Sequence, residues 1–405
     1  MCSESTSATS TQRSDVLNRS ADRILTTHVG SLARPQALID LIQEKESGLP
    51  YDKAAFAAEA RKAVAEVIRR QVECGIDIVN DGEQAKASFH GYFLERLEGF
   101  ERKPASSGVY RPRTSSREYL AFKEYYDWAP GRSNVGSLGG GTCIGPVSFK
   151  GQATLQADLA NIQAGLEGKQ YVDVFVPSIA ATYIAATRPN EYYKTYEEYE
   201  YALADAMHDE YEAIIAAGYI VQIDDPRIIS YYTMEPGLSI ADCRKWAEAR
   251  VAVINQSIRG LPEDRVRFHT CYSTNIGPRV HEMELADFVD IMLKINAGGY
   301  SFEAANPRHE HEYHIFEEVK LPEGKVLIPG VISHTTNLVE HPALVAERIM
   351  RFANLVGREN VIAGADCGFS TGARGEYEIH PSVVWHKFAA LSEGARLASA
   401  QLWRR

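Results

Sequence analysis

The chain has 405 residues, a formal net charge of −11, and a composition that is 45% hydrophobic and 24% charged. This composition is typical of a globular protein with a large core, and the length fits one large barrel or two ordinary domains. The lysines and arginines form no stripe, which argues against nucleic acid as a partner. No apolar run approaches the roughly 20 residues that a membrane-spanning helix needs, so no membrane partner is expected.

The first 20 residues are rich in Ser and Thr and contain no hydrophobic segment. We interpret residues 1–20 as a disordered leader rather than a secretion signal. Six cysteines in a chain of this length do not form a disulfide framework. We therefore predict a reducing compartment, with the cytoplasm as the default location.

From Ile24 onward, short apolar runs alternate with amphipathic helical patterns, which is typical of a parallel sheet. The pattern predicts eight strands, at 24–32, 76–83, 172–178, 219–225, 266–272, 299–304, 326–333 and 360–367. Helices are predicted at 54–74, 152–167, 194–217, 239–258, 283–295, 342–356 and 382–402. This count predicts a single (β/α)₈ TIM barrel over residues 21–405. A doubly wound sheet is the alternative, but its Gly-rich fingerprint is missing.

The alternation breaks after the second predicted strand, over residues of about 100–150. This stretch contains the run VGSLGGGT, whose glycines lack the spacing of a dinucleotide- or phosphate-binding loop. We predict an insertion that passes over the barrel mouth, either as a lid or as a simple hairpin.

Polar side chains stand at or just after the carboxyl ends of most predicted strands. In a (β/α)₈ barrel these ends meet at the mouth, where the active site lies. A barrel with a purely structural role would not require so many acids, imidazoles and thiols at one end. The residues are His28, Ser31, Asp81, Glu83, Asp224, Asp225, His269, Cys271, Glu303, His334, Asp366 and Cys367.

Four of these residues have the side chains that zinc favours. His269 and Cys271 are two residues apart on one strand, so their side chains share a face. Glu303 and Cys367 end two further strands of the predicted ring. Imidazole, thiolate and carboxylate are zinc ligands, and the sequence therefore predicts a Zn²⁺ site formed by these four residues. The alternative is that they are merely two buried cysteines, a hydrogen-bonded histidine and an acid.

A second group of histidines lies in the Glu-rich segment HEHEYH, at His309, His311 and His314. It follows Asn306-Pro307, so it begins as a loop. We interpret it as the solvated, mixed-charge start of a helix rather than as a second metal site.

Seven motifs occur in order along the chain: THVGSLARP, DGE (81–83), IDDP (223–226), HTC (269–271), the Glu303 strand, PGVISH (329–334) and ADCG (365–368). Together they closely resemble the catalytic half of cobalamin-independent methionine synthase, over nearly the whole chain from Ile24. The length and the segment NPRHEH are more similar to single-barrel relatives that lack the duplicated N-terminal half. Epoxyalkane:coenzyme M transferase is another member of this wider group.

The resemblance implies a specific chemistry: a zinc-dependent methyltransferase that activates a homocysteine-like thiol as a zinc thiolate and forms methionine or a related thioether. It implies that the four residues above are the zinc ligands. It also implies that Ser31, Glu83 and Asp224 hold the backbone of homocysteine, and that His334 is the acid or relay in methyl transfer.

The chain departs from the family where the methyl donor binds. The family has a tryptophan for the folate after its third strand, whereas VPSIAATYI offers only Tyr183 here. The small-molecule partners are therefore predicted to be a thiol and either methylfolate or a methyl-corrinoid. A homo-oligomer is left open.

Three other functions compete with this one. The first is alkyl transfer to another thiol, as in epoxyalkane:coenzyme M transferase. A sulfonate acceptor would need a cation near the thiol, but Arg34, Arg227 and Arg308 are interpreted as surface residues. The second is a metal-free decarboxylase of the related uroporphyrinogen barrel, which has no use for two thiolates. The third is a non-enzymatic protein, which would bind no zinc.

Overall fold

The computed structural model describes residues 19–48, 50–103, 115–128, 140–274, 276–370, 372–373 and 379–404. The predicted disordered leader lies almost wholly outside these residues. Two parts of the predicted insertion, 104–114 and 129–139, lie outside them as well.

Eight of the described strands form one parallel sheet, which confirms the predicted (β/α)₈ barrel. Their order is β1-β10-β9-β8-β7-β6-β5-β2, so the first strand pairs with the last and each other pair joins neighbours along the ring. The strands of this sheet are β1 (Leu25–Thr26), β2 (Ile78–Val79), β5 (Asp173–Ile179), β6 (Ile220–Asp224), β7 (Val266–His269), β8 (Gly299–Phe302), β9 (Val326–Ile332) and β10 (Ile362–Ala365). Two further strands, β3 (Phe100–Lys103) and β4 (Gly140–Cys143), belong to the insertion.

Asp77 bridges the ring between β1 and β2. Its backbone N–H donates to the Thr26 carbonyl at 3.2 Å, and Thr26 N donates to its carboxylate at 2.9 Å. Arg23 donates two hydrogen bonds of 2.7 Å to the same carboxylate. The barrel is therefore joined at this point by a side chain rather than by a long strand ladder.

Thirteen helices are present among the described residues, and most surround the barrel. They are α1 (Gln36–Glu46), α2 (Lys53–Glu73), α3 (Phe93–Arg96), α4 (Arg117–Ala121), α5 (Lys123–Trp128), α6 (Gln152–Leu166), α7 (Ala181–Thr187), α8 (Tyr196–Ala216), α9 (Pro226–Met234), α10 (Ile240–Ser257), α11 (Val289–Met292), α12 (Pro342–Val356) and α13 (Pro381–Leu402). Short 3₁₀ helices lie at Glu263–Arg265, Leu285–Asp287, Glu310–Glu317 and Arg358–Asn360. None of the helices in the described ranges is both long and apolar enough to cross a membrane.

The helix predicted at 283–295 is wrong as a continuous element. A 3₁₀ turn at Leu285–Asp287 and the single turn α11 take its place. Arg244, from α10, donates to the Asp287 carbonyl and also pairs with the carboxylate of Asp290. Because that carbonyl is taken by a side chain of another helix, the local apolar period does not extend into a regular helix.

The barrel interior has an apolar layer and a polar layer. The apolar layer consists of Leu25, Ile78, Phe175, Ile220, Val326, Ile328 and Ile362. Arg267 forms the polar layer: it donates to the Gln222 side chain at 2.6 Å and to the His28 carbonyl at 2.6 Å. Its guanidinium lies 3.4 Å from the centre of the Phe175 ring. The polar contacts thus begin below the mouth and orient the strand ends that carry the site.

The described part of the insertion contains a hairpin, since β3 and β4 pair antiparallel outside the barrel sheet. Arg117 anchors α4 on the barrel by donating to the carbonyls of Tyr232 and Leu238 at the end of α9. A role of the insertion as a lid stays a prediction.

Candidate active site

A cavity of about 130 Å³ opens at the carboxyl ends of the strands. Six of the eight predicted site residues line it, namely Ser31, Glu83, Asp224, His269, Cys271 and Cys367. Its apolar lining includes Phe89, Tyr183, Met234 and Tyr272. Glu303 and His334 are not part of the lining. The polar residues at the predicted strand ends thus mark the position of the cavity, but they do not identify every residue that lines it.

His269, Cys271 and Cys367 come together from two strands. His269 ends β7, Cys271 follows it by two residues, and Cys367 follows β10 by two residues. The two Sγ atoms are 2.9 Å apart and unbridged. The ligand atoms of all three residues lie within 4.8 Å of one another. Three of the four predicted zinc ligands therefore form one buried cluster.

The histidine of this cluster has one ring nitrogen available. Its Nδ1 lies 3.1 Å from Ser301 Oγ, whereas Nε2 is buried with no hydrogen-bond partner among the described residues. Burial, with a contribution from Arg267, lowers the pKa of His269 to about 3. The imidazole is therefore neutral, which is the form that binds a metal ion.

The surroundings of the thiol pair disfavour its ionisation. The hydrogen bond to Cys367, together with burial, raises the pKa of the Cys271 thiol well above its usual value. Only a positive charge between the two sulfurs would reverse this, because a coordinating metal deprotonates thiols outright. An unpaired imidazole nitrogen and two facing thiols are a donor set that fits zinc.

Glu303 follows β8 and has hydrogen-bond partners of its own beside the thiols. Its carboxylate accepts hydrogen bonds from Tyr272 N at 2.8 Å, from Arg279 Nη2 at 2.7 Å and from Asn306 Nδ2 at 2.7 Å. It lies near His334 and Asp366 rather than in the His-Cys-Cys cluster. Because Tyr272 directly follows Cys271, the carboxylate is nevertheless beside the thiol segment. Its role as a fourth ligand stays a prediction.

His334 does not line the cavity itself but contacts a residue that does. Its Nε2 is 2.9 Å from the carbonyl oxygen of Ser273, which lines the cavity. A carbonyl only accepts, so Nε2 carries the proton and the buried Nδ1, which has no described partner, is an acceptor. Burial, followed by the charge of Arg279, lowers the pKa of His334 to about 4. Its predicted role in proton transfer is untested.

Glu83 has a strained backbone at the edge of the cavity. Its φ is 56°, a left-handed value that is uncommon outside glycine. Asp81 accepts from its N–H at 3.0 Å, and Arg34 donates to its carbonyl at 2.6 Å. Its Oε2 is buried without a described partner, and burial raises the pKa of the carboxyl group. A strained backbone conformation that neighbouring hydrogen bonds maintain is typical of functional positions.

Asp224 faces the same cavity from the end of β6. Its Oδ1 accepts from Gln222 Nε2 at 2.7 Å. Burial raises its pKa well above the usual range, and the nearby Glu83 raises it further. Two acids that share one desolvated cavity are poorly solvated as anions, and a ligand cation would stabilise them.

The Ser31 hydroxyl lies between the first and last strands of the barrel. The N–H of Ser370 donates to Ser31 Oγ at 3.4 Å, and the N–H of Phe369 donates to the Ser31 carbonyl at 3.0 Å. Gly368 packs so closely that a Cβ atom there would lie 2.1 Å from Ser31 Oγ. The position of this hydroxyl therefore depends on a glycine in the strand that also carries Cys367.

A buried charge network lies behind Glu303. Arg279 pairs with both Glu303 and Glu282 at 2.7 Å. His309 lies between Glu282 at 2.8 Å and Glu312 at 2.9 Å. The interpretation of His309 as a solvated residue is therefore wrong: it is 1% exposed. His311 and His314 are exposed as expected, and among the described residues none of the three belongs to a candidate metal cluster.

This network predicts a pH-dependent stability. Burial disfavours the His309 cation, but Glu282 and Glu312 outweigh it and raise the pKa to about 9 from 6.5. A group whose folded-state pKa is raised stabilises the fold fully below its unfolded pKa and loses that contribution as pH rises through the folded pKa. We expect the free energy of unfolding to fall by roughly 3 kcal/mol between pH 6.5 and 9.

Urea unfolding at a series of pH values measures this contribution. His309→Gln should be less stable at pH 6 and should lack the decline above it. His314→Gln is the matched control, because His314 pairs only with exposed Glu317. An unchanged pH profile in His309→Gln would contradict the assignment.

A family comparison agrees with this geometry. The profile of the cobalamin-independent synthase catalytic domain matches residues 178–383, about half of the chain. The chain belongs to this family. The match begins at the end of β5, includes β6 to β10, and contains all four predicted zinc ligands and His334.

Individual members of the family extend the similarity over nearly the whole chain. A protein named methionine synthase from Thermococcus kodakarensis is 24% identical over 383 residues, which are 94% of each chain. Another so named, from Saccharolobus solfataricus, is 22% identical over 384 residues, 94% of this chain and 96% of its own.

Two solved structures share the fold. A B12-independent methionine synthase from Shewanella sp. W3-18-1, in complex with selenomethionine, superposes with a TM-score of 0.69 at 21% identity. It covers 94% of this chain and 99% of its own. A putative B12-independent methionine synthase from Listeria monocytogenes gives a TM-score of 0.63 at 18% identity, over 95% and 100% of the two chains. These likenesses support the barrel.

Three arginines near the candidate site were missed or misjudged from the sequence. Arg279 gave no signal, since it lies in an irregular segment with a φ of 58°. Arg227 was interpreted as a surface residue, but it lines the cavity that holds the thiols. Arg34, interpreted in the same way, is only 4% exposed, whereas Arg308 is exposed as expected.

Proposed function

We propose that the protein is a zinc-dependent methyltransferase that methylates homocysteine or a closely related thiol and forms methionine or a similar thioether. The observation that carries this proposal is the unpaired Nε2 of His269 beside two facing thiols, in a cavity that also contains acids. A zinc ion would satisfy this buried imidazole nitrogen and both thiols together.

His269, Cys271 and Cys367 would hold the zinc, with Glu303 as the fourth ligand. When bound, zinc lowers the pKa of a thiol that coordinates it and keeps the thiolate nucleophilic near neutral pH. Glu303 is the hardest ligand of the set and already has Arg279 as an alternative partner at 2.7 Å. Its carboxylate could therefore leave the metal to an incoming thiol without remaining unpaired.

Glu83 and Asp224 would bind the ammonium group of the thiol substrate. Both are buried in the cavity, and burial raises the pKa of both carboxyl groups. An ammonium group between them would form charge-assisted hydrogen bonds. Ser31 would orient the substrate backbone from the opposite strand end. These contacts fix the substrate thiol toward the cysteine pair.

His334 would supply the proton that the leaving group of the methyl donor requires. Because its neutral form predominates at pH 7, it would act as a relay: its unpartnered Nδ1 would take up the proton that the substrate thiol loses and pass it to the leaving group, while Nε2–H stays on the Ser273 carbonyl. Phe89 and Tyr183, with ring centres 5.6 Å apart, form an apolar side of the cavity for the donor. The donor is methylfolate or a methyl-corrinoid. The unbridged thiols suit the reducing cytoplasm.

Metal analysis combined with an activity assay tests the proposal. Purified protein should contain about one zinc per chain by elemental analysis. It should form methionine from homocysteine with 5-methyltetrahydrofolate or methylcobalamin as donor, detected by mass spectrometry. Removal of the metal with a chelator should abolish methionine formation, and added zinc should restore it. Absence of zinc after expression in zinc-replete medium would refute the proposal.

Gly368→Ala should weaken thiol binding while leaving the metal in place. The added Cβ would displace Ser31 Oγ, and the loss of one hydrogen bond corresponds to about a tenfold rise in KM for homocysteine. Steady-state kinetics and zinc content measure the two effects. Gly372→Ala is the control, because its Cβ would meet only ordinary contacts of 3.5 Å or more. Loss of zinc in Gly368→Ala would contradict the expectation.

A further inference from the structure

Glu118 links the insertion to the candidate metal centre. It lies in α4, a helix of only five residues, and is nevertheless only 4% exposed. Its Oε1 accepts from the N–H of Arg279 at 2.5 Å, and its Oε2 accepts from the N–H of His281 at 3.4 Å. A carboxylate of the insertion thus holds the backbone of the irregular segment between β7 and β8.

The helices that carry and flank this carboxylate have contacts of their own on the barrel. The Ser116 side chain caps α4 by accepting from Tyr119 N at 3.2 Å, and Arg117 joins α4 to the end of α9. Tyr125, in α5, donates to the carbonyl of Ile276 at 2.9 Å, which is a second contact with the segment between β7 and β8. The carboxylate is therefore presented to this segment from a supported position.

The backbone of Arg279 is strained. Its φ of 58° is a left-handed value, which is costly for a residue other than glycine. The charge-assisted hydrogen bond from its N–H to Glu118 offsets part of this cost. In this conformation Nε donates to Glu282 and Nη2 donates to Glu303, each at 2.7 Å. The conformation that Glu118 stabilises is therefore the one that directs the guanidinium to Glu303.

Glu303 lies between this guanidinium and the thiol segment. Its Oε2 pairs with Arg279, while its Oε1 accepts from Tyr272 N at 2.8 Å, directly after Cys271. As the proposed fourth ligand, its carboxylate has to leave the metal when a substrate thiol binds there. A buried carboxylate without a cation to receive it is costly. The ease of this exchange therefore depends on how firmly Arg279 is held in place.

We propose that Glu118 is a positioning residue for thiol binding, because it holds Arg279 as the cation that receives Glu303 when the substrate thiol takes its place on the metal. This inference rests on the proposed function and adds a residue outside the cavity that sets the affinity for the thiol. The exchange breaks the bond from the metal to the Glu303 oxygen and forms one to the substrate sulfur. The thiol proton passes to His334, and the carboxylate keeps its charge.

Separate measurements of zinc binding and thiol binding in Glu118→Ala test this role. Zinc affinity is measured by competition with a chromogenic chelator, and homocysteine affinity by calorimetric titration of the zinc-loaded protein. Because a hydrogen bond to a charged group is lost, the Kd for homocysteine should rise by at least about tenfold. Zinc affinity should be no lower than in wild type, since Glu303 then has a weaker alternative to the metal. Glu118→Gln, which keeps an acceptor for Arg279 N, should recover most of the homocysteine affinity.

A double-mutant cycle with Glu303→Gln distinguishes positioning from a purely structural role. In the Glu303→Gln background, Glu118→Ala should no longer change the homocysteine affinity, because no charged carboxylate then moves to Arg279. Glu124→Ala, which removes an exposed acid of α5, is the matched control and should bind homocysteine as wild type does.

Three results would overturn the assignment. The first is an equal rise of the homocysteine Kd with and without the Glu303 carboxylate. The second is a joint loss of zinc and homocysteine affinity in Glu118→Ala, which indicates general damage to the site. The third is an unchanged homocysteine affinity in Glu118→Ala.

Failure of the proposed function gives a different pattern. Wild type that binds zinc and homocysteine but forms no methionine with either donor would refute methyl transfer, while the double-mutant cycle still decides the role of Glu118. Wild type that binds no zinc would overturn both proposals.

Discussion

A Cys367→Ser variant is expected to lose its zinc and, with it, methionine formation. Loss of a residue that merely orients a metal ligand costs about 10–100-fold in affinity, so loss of a thiolate ligand should exceed 100-fold. A serine hydroxyl does not ionise near neutral pH and cannot replace the thiolate. Zinc affinity is measured by competition with a chromogenic chelator, and activity by methionine production at saturating zinc.

Cys74→Ser provides the same chemical change away from the site. Cys74 lies at the end of α2 and contacts the Trp385 carbonyl. This variant should retain full zinc content and activity. If Cys367→Ser retained the zinc affinity of wild type, the cysteine pair would not be the metal centre.

An Arg279→Met variant is expected to be less stable than wild type by about 3–5 kcal/mol, because it leaves buried carboxylates without their cation. Arg279 is 6% exposed and pairs with Glu282 and Glu303, of which Glu303 is 2% exposed. Methionine conserves most of the side-chain volume, so the effect arises from charge rather than from a cavity. Urea unfolding at pH 7 measures the change in the free energy of unfolding.

Two companion variants isolate the electrostatic cause. Arg279→Met combined with Glu303→Gln removes one of the stranded charges and should recover part of the loss. Arg396→Met breaks an exposed pair with Glu393 and should have little effect, since surface ion pairs contribute little. A stability loss in Arg279→Met that Glu303→Gln does not relieve would exclude charge pairing as its source.

The sequence predicted the barrel, and it also predicted that His269, Cys271 and Cys367 lie together, because both depend on local patterns. Apolar runs that alternate with helical periods define the eight strands, and a site at their carboxyl ends follows from the topology. His269 and Cys271 could be placed together because alternate strand residues share a face. Cys367 joined them because it ends another strand of the same ring.

The orientation of Glu303 could not be predicted in this way. Its carboxylate accepts hydrogen bonds from residues that are brought together only by folding. The cationic one among them, Arg279, lies in a segment whose sequence has no helical or strand periodicity. Arg227 was misjudged for a related reason: an arginine after a strand is ordinary in sequence, and only the folded chain shows what surrounds it. His309 was expected in solvent because its neighbours are acidic, yet one of them, Glu312, is buried with it, and its other partner, Glu282, lies 27 residues away in the sequence.

The pairing of the first barrel strand with the last has a consequence for biosynthesis. Cys367 is 96 residues beyond Cys271, so a ribosome that adds about 5–20 residues per second needs on the order of 5–20 seconds between them. The barrel cannot close until β10 has been made and meets β1. During this interval His269 and Cys271 are already synthesised without their third partner. Loading of the proposed zinc would therefore be a late event of synthesis, and the nascent Cys271 thiol would depend on a reducing environment until then.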